Sequence, residues 1–397
     1  MEKELFALLR LGLGNSVPEE ENLADFIVLT EDGWRHVIDL AREQGVLGIV
    51  LDGIEKCHTD STDYTETLPQ VLRLEMIGEV LQIEQRNRQQ MAVIDAVQRR
   101  WAEHGIRTMI MKGQAMGTYY PKPEHRSPGD IDCYLFSGER LSVIGYRLSV
   151  REGHTDSTDN TDGDGSGYRI GNEVARTFAD KVDEGWYKHS QIFYGGQMIE
   201  NHQYFVHTRE GKSSKRLNQL LVELVNGERL SVIDGTGALL PPPMFNALFL
   251  TYHAMTHFLE EGLKLKQVLD WAMFLKKDGD KVDWEEFYRI CDKFHLRRFA
   301  DVMNTIAKQY FNVNVNDNKN ENENENLDGE NPYAEKVLRS TLYDKDYVFS
   351  SGEGGWKNRW HIVRNLWKYR WKYHQIYQHS IVRQLWWYAT GYLFKTE

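Results

Sequence analysis

The sequence predicts an α+β fold, a small mixed β-sheet core flanked by N-terminal helices and a C-terminal helical bundle. Three observations predict it. Apolar residues recur at helical spacing through most of the first hundred residues and again from Met244 onward. Between those regions lie short runs rich in β-branched and aromatic residues: IRTMIM (106–111), DIDCYLF (130–136), HSQIFY (189–194) and QMIENHQYFV (197–206). The last two are separated only by Gly195-Gly196, a hairpin turn signal, because both central residues of the favoured turn need positive φ.

In chain order, WRHVIDLAREQGVLGIVLDGI (34–54) reads as helix with Gly45 as its stop. A longer helical pattern runs over 68–103, with Leu72, Ile77, Val80, Leu81, Ile83, Met91, Ile94 and Val97 as its apolar members. After the first strand come Lys112-Gly113 and QAMGTYY, enough for one or two helical turns. PKPEHRSPG (121–129) is a loop punctuated by three prolines. A helix is expected at 138–151, then a polar, glycine-rich insertion at 153–167. Its recurring Asp suggest a calcium loop, but the glycine and glutamate offsets of an EF-hand are absent, which favours a flexible insertion. Past Pro241, Pro242 and Pro243, three amphipathic helices are expected at 245–262, 263–277 and 284–311. The asparagine- and glutamate-rich stretch 312–332 is of low complexity and reads as a linker. The expected organisation is a helical region at 1–104, a sheet core at 105–240, a helical domain at 241–311, the linker, and an aromatic, basic helical tail at 333–397.

A chain of 397 residues with 41% apolar residues can bury a real core. Its start lacks the basic-then-apolar order of a signal peptide, and no apolar run approaches the roughly 20 residues a spanning helix needs. The three cysteines, Cys57, Cys133 and Cys291, are scattered and odd in number, against a disulfide framework. A cytoplasmic protein is expected. The net charge of −11 disfavours overall nucleic-acid binding. The exception is 356–394, which carries Lys and Arg without one acidic residue. There Trp356, Trp360, Trp367 and Trp371 make one helical stripe, read first as packing on the protein's own helices. Binding to a membrane surface or stacking on single-stranded nucleic acid are the less favoured readings.

The chemistry concentrates at Lys112-Gly113 and Gly129-Asp130-Ile131-Asp132. Residues two apart on a strand share a face, so Asp130 and Asp132 project together. Side-by-side carboxylates repel unless a cation neutralises them, and a hard ion such as Mg²⁺ takes carboxylate oxygens while keeping positions open for phosphate. Gly113 lets the backbone approach a phosphate, and the following helix start offers free N–H groups. Glu200 and His202 share a face by the same two-residue period.

This arrangement, a glycine before a short helix and then an apolar-flanked Asp-x-Asp, resembles the DNA-polymerase-β-type nucleotidyltransferase superfamily. MIMKGQAMGTYYPKPEHRSPGDIDCYL resembles the motif of a poorly characterised bacterial nucleotidyltransferase family within it, and the similarity extends from WRHVIDLAREQGV through QMIENHQYF to LKLKQVLDWAMFL. The resemblance implies transfer of a nucleoside monophosphate from an NTP to an unknown acceptor with release of pyrophosphate. It implies that Asp130, Asp132 and Glu200 are catalytic and hold Mg²⁺, with Mn²⁺ as the alternative ion. It also implies nucleotide binding by Lys112, Gly113, Gln114, Arg126 and Gly129, with Lys266 and Asp270 lining the cleft. Gln114 stands where many superfamily members have Gly or Ser, and the span from Asp132 to Glu200 is long.

Each has a plainer alternative. The aspartates could form a solvated strand edge, Glu200 a hairpin surface carboxylate, and Lys112 and Arg126 surface charges. Lys266 and Asp270, four apart, could be an intrahelical ion pair. His253 and His257 are also four apart, but no glutamate follows the first, so a core-facing or hydrogen-bonded pair is favoured over a zinc site. The alternative function is a non-catalytic nucleotide-binding or scaffold protein that keeps the fold.

Overall fold

The computed structural model describes residues 2–15, 29–57, 68–137, 166–208, 211–227, 230–313, 331–344, 356–378 and 380. The expected helix at 138–151, nearly all of the 153–167 insertion and most of the 312–332 linker lie outside the described residues. The first elements are α1 (Glu2–Gly12), α2 (Glu31–Glu43), α3 (Leu47–Cys57), α4 (Gln70–Ala102), β1 (Ile106–Met111), α5 (Gly113–Gly117) and β2 (Ile131–Ser137). Then come α6 (Ser166–Ala175), β3 (Lys181–Asp183), β4 (His189–Tyr194), β5 (Gln197–His202), α7 (Lys212–Gly227) and α8 (Pro243–Glu260). The chain continues with α9 (Leu265–Asp278), α10 (Trp284–Lys293), α11 (Arg297–Phe311), α12 (Ala334–Tyr343) and α13 (Trp356–Lys368). The predicted α+β class, a small mixed sheet with helices before and after it, is the architecture found.

The chain divides into two compact units. Glu84–Thr118 and Pro128–Asn246 form a sheet unit; Met1–Ile83, Tyr119–Ser127 and Ala247–Glu397 form a helical unit.

The sheet runs β1-β2-β5-β4-β3. The β2–β5 pair is parallel, and β1–β2, β5–β4 and β4–β3 are antiparallel. Alternation gives the sheet two unlike faces. Ile106, Ile110, Ile131, Cys133, Leu135, Ile192 and Ile199 pack with Val93, Ile94, Val97 and Trp101 of α4 into one core. The opposite face carries Asp132, Glu200, His189 and His202. The free edge of β1 is closed by Leu239, whose N–H donates to the Thr108 carbonyl at 2.8 Å while its carbonyl accepts from Ile110 at 2.9 Å. Helix α6 lies close on β2. A Cβ on Gly167 would sit 2.3 Å from the Leu135 carbonyl oxygen, and one on Gly171 would sit 2.3 Å from Leu135 Cδ1. At Gly167, where the neighbour is backbone, only glycine permits that approach.

Long α4 explains itself by periodicity. Leu72, Met76, Val80, Ile83, Asn87, Gln90, Ile94, Val97 and Trp101, spaced three or four apart, are all buried. Leu81, expected among its apolar members, is 53% exposed.

In the helical unit, the Thr30 hydroxyl caps α2 by accepting from Gly33 N, and the Asp283 carboxylate caps α10 by accepting from Glu286 N at 3.0 Å. Within the bundle Trp271 Nε1 donates to Asn304, whose amide donates to Tyr288 Oη, both at 2.9 Å. The buried side of the tail is Ile362, Leu366, Tyr369, Tyr373 and Ile376. Of the expected tryptophan stripe, Trp371 packs against Phe258 with ring centres 5.7 Å apart and Trp367 is 59% exposed, while the side chains of Trp356 and Trp360 lie outside the described residues.

Several boundaries differ from expectation. Gly45 (φ +69°) does stop α2, as expected, and α3 follows it, but the 284–311 helix breaks at His295 (φ +60°) into α10 and α11. β2 begins at Ile131, one residue after Asp130, and β5 ends at His202 instead of 206. The three-residue β3 was not expected. Among the described residues no helix is long and apolar enough to cross a membrane.

Candidate functional site

The parallel pairing of β2 with β5 puts Asp132 directly opposite Glu200. Register partners share a face, so two carboxylates nearly seventy residues apart in sequence become neighbours. The hairpin then sets His189 of β4 opposite His202 of β5. His202 Nε2 lies 2.9 Å from Asp132 Oδ1 and 3.5 Å from Glu200 Oε2, and His189 Nε2 lies 3.3 Å from Glu200 Oε1. One ligand atom from each of His189, Glu200 and His202 falls within a sphere of contacts no wider than 4.8 Å. Donor atoms so placed could hold a divalent ion.

Lys112 Nζ lies 2.8 Å from the same Asp132 Oδ1 that His202 meets. Burial alone would push the Asp132 carboxyl up, but Lys112 and His202 outweigh it and hold the carboxyl well below the usual carboxylate range. Burial also pushes the His189 imidazole down, against the opposing charge of Glu200. The backbone at Lys112 is strained: φ is +53° and ψ is −148°, a region that favours glycine. Gly113 follows at φ +39°, and a Cβ there would crowd the Asp130 carbonyl at 3.2 Å. The chain thus turns sharply out of β1 so that Lys112 can reach Asp132.

Gln114 and Gly129 meet through α4. Gln114 Nε2 donates to Asn87 Oδ1 at 2.7 Å and to Gln90 Oε1 at 2.8 Å, and Gln90 Nε2 donates to the Gly129 carbonyl at 2.6 Å. This buried amide relay fixes the loop entering β2. Gly129 and Asp130 are exposed at that loop.

A model of the family described as uncharacterised nucleotidyltransferase matches residues 30–312. The chain belongs to this family. No curated protein matches the chain, and no solved structure does.

For a member of a nucleotidyltransferase family the donor set matters. Asp132 and Glu200 supply oxygens on one face, a pair that fits a divalent cation, and Asp130 is exposed one residue before β2. The remaining expected positions lie in the helical unit. There Arg126 grips Asp270 in a bidentate, buried pair, Nε–Oδ1 and Nη2–Oδ2 both 2.7 Å, and Tyr120 Oη donates to the same carboxylate at 2.8 Å. Lys266, half-buried, packs its stem near Gly45, and its N–H donates to the Gln44 carbonyl at 3.2 Å. His253 and His257 touch edge to face at 4.4 Å, and His257 Nδ1 lies 3.0 Å from Glu261, the hydrogen-bonded arrangement expected for them.

Sequence reasoning missed His189, Asn87 and Gln90. Pairing outward from the Gly195-Gly196 turn puts His189 opposite His202, and Asn87 and Gln90 are polar interruptions of an apolar stripe. Both signals were present.

Proposed function

We propose that the chain transfers a nucleoside monophosphate from an NTP to an acceptor hydroxyl and releases pyrophosphate. Membership of a nucleotidyltransferase family supports a transferase. The observation that carries the reading is the pairing of Asp132 with Glu200 across parallel strands, with Lys112 against Asp132 at a glycine-opened turn. In this reading Lys112 and the Gly113 backbone meet the triphosphate, and the ammonium offsets charge that builds on the phosphate oxygens. Glu200 accepts the proton of the acceptor hydroxyl. The acceptor oxygen forms a bond to the α-phosphorus as the α–β bridging bond breaks, and the electron pair leaves with pyrophosphate. Bound Mg²⁺, held by Asp130, Asp132 and Glu200, would supply charge neutralisation along the triphosphate. The amide relay from Gln114 to Gly129 keeps the Asp130 loop in place.

The test is pyrophosphate release across the common NTPs with sugar, small-hydroxyl, protein and nucleic-acid acceptors. Wild-type protein should turn over at least one pair, and Asp132→Asn and Glu200→Gln should each lower that rate by about 100-fold or more. Saturable NTP binding with no turnover on any acceptor would instead support the non-catalytic scaffold.

A further inference from the structure

We infer that His189, Glu200 and His202 form a binding site for a first-row transition-metal dication, selective for Zn²⁺ over Mg²⁺. Geometry is the first reason. His189 Nε2 lies 3.3 Å from Glu200 Oε1 and His202 Nε2 lies 3.5 Å from Glu200 Oε2, so each imidazole stands one coordination edge from an oxygen of the same carboxylate, and one donor atom from each residue lies within 4.8 Å of the others. Ligands roughly 2.1 Å from an ion stand about 3.4 Å apart in a tetrahedral site.

Donor accounting is the second. His202 is 1% exposed. Its Nδ1 faces the Tyr204 carbonyl at 3.3 Å, and its Nε2 faces carboxylate oxygens of Asp132 and Glu200. Every one of those partners is an acceptor. A neutral imidazole has a single N–H, which serves either Asp132 through Nε2 or Tyr204 through Nδ1, never both. With a dication beside Glu200 the N–H sits on Nδ1 toward Tyr204 and the Nε2 lone pair coordinates the ion. The Nδ1–H to carbonyl bond is then the outer contact that metal-bound histidines ordinarily make.

Ligand chemistry is the third. Two imidazoles and one carboxylate suit Zn²⁺ and its neighbours, whereas Mg²⁺ takes oxygen ligands and holds its water tightly. Affinity should follow Zn²⁺ above Mn²⁺. Glu200 is shared with the transfer reading, but the ion needs no nucleotide. Protein that holds Zn²⁺ and transfers nothing would therefore separate the two.

The experiment is calorimetric titration of metal-free, full-length protein with Zn²⁺, Mn²⁺ and Mg²⁺, without nucleotide. The expected result is one Zn²⁺ per chain, bound more tightly than Mn²⁺ and not displaced by millimolar Mg²⁺. His189→Gln and His202→Gln should each weaken Zn²⁺ by at least about tenfold. Because His202 is buried and its variant can fail to fold, anomalous scattering from wild-type crystals soaked in Zn²⁺ gives a second readout. The peak should lie among the three side chains. No Zn²⁺ binding, binding unchanged in His189→Gln, equal competition by Mg²⁺, or a peak elsewhere would each overturn the assignment.

Discussion

Lys112 has a positive φ that a residue with a Cβ rarely adopts, and its ammonium is tied to a buried carboxylate. Strain of this kind costs about 1–3 kcal/mol and persists only where surrounding contacts over-determine it. Comparing Lys112→Gly with Lys112→Ala isolates the backbone, since both remove the ammonium. Glycine relaxes at this φ but loosens the unfolded chain, so Lys112→Gly should be the more stable by about 1 kcal/mol in urea unfolding. Equal stabilities would mean that the turn is not strained. Lys112 and Gly113 stand out in the sequence as a break after an apolar run. The partner of Lys112 does not, because a lysine side chain has no period that points to Asp132. Asp132 itself is legible by alternation from Ile131 and Cys133, which face the core. Asp130 stands one residue before the first residue of β2.

At the scale of elements, α6 on β2 is the contact that holds the strand bearing Asp132. The Gly167 Cβ would meet backbone, whereas the Gly171 Cβ would meet the movable end of the Leu135 side chain. Gly167→Ala should therefore cost about 1–3 kcal/mol and Gly171→Ala less, as thermal unfolding would show. A reversed order would say that the strand yields more readily than the leucine. Between α2 and α4, Arg42 holds Glu79 through both carboxylate oxygens at 2.6 and 2.8 Å, and these bonds hold the Glu79 carboxyl below its ordinary value. The sign follows from that depression. The contribution of Glu79 is fully present above its unfolded value of about 4.3 and is lost as pH falls further. The pair is partly exposed and screened, so Glu79→Gln should cost less than about 1 kcal/mol at pH 7. The gap from wild type should narrow as pH falls below that unfolded value and close once pH is below the depressed folded one; a gap constant with pH would contradict the assignment. Strand β1 is legible as a short apolar, partly β-branched run ended by Lys112-Gly113, and β4 and β5 are legible as short runs either side of the Gly195-Gly196 turn. Lys181–Asp183 is not, since three residues carry no pattern; it is a strand only because β4 offers it an edge. The 284–311 stretch reads as one helix because its apolar period continues past His295, and only the backbone shows the break.

Across the whole molecule, the α+β class follows from composition and periodicity, but the sheet order does not. The parallel β2–β5 pairing joins segments separated by a long span, and no local spacing encodes it. Glu200 enters the sequence reading through family resemblance for that reason, while His189 is reachable from the hairpin register alone. The expected nucleotide-binding set is also divided between units. Lys112, Gly113, Gln114, Gly129, Asp130, Asp132 and Glu200 belong to the sheet unit, and Arg126, Lys266 and Asp270 to the helical one. Arg126 and Asp270 already satisfy one another there, which gives them a structural role whatever else they do.

The central claim is that the Lys112 turn and the Asp132–Glu200 pair receive one nucleotide with its cation. The most direct measurement is a crystal structure of the full chain with a non-hydrolysable NTP and a divalent ion. The account predicts phosphate oxygens against Lys112 Nζ and the Gly113 N–H, with the cation on Asp132 and Glu200. A nucleotide bound elsewhere, with Lys112 still seated on Asp132, would contradict it.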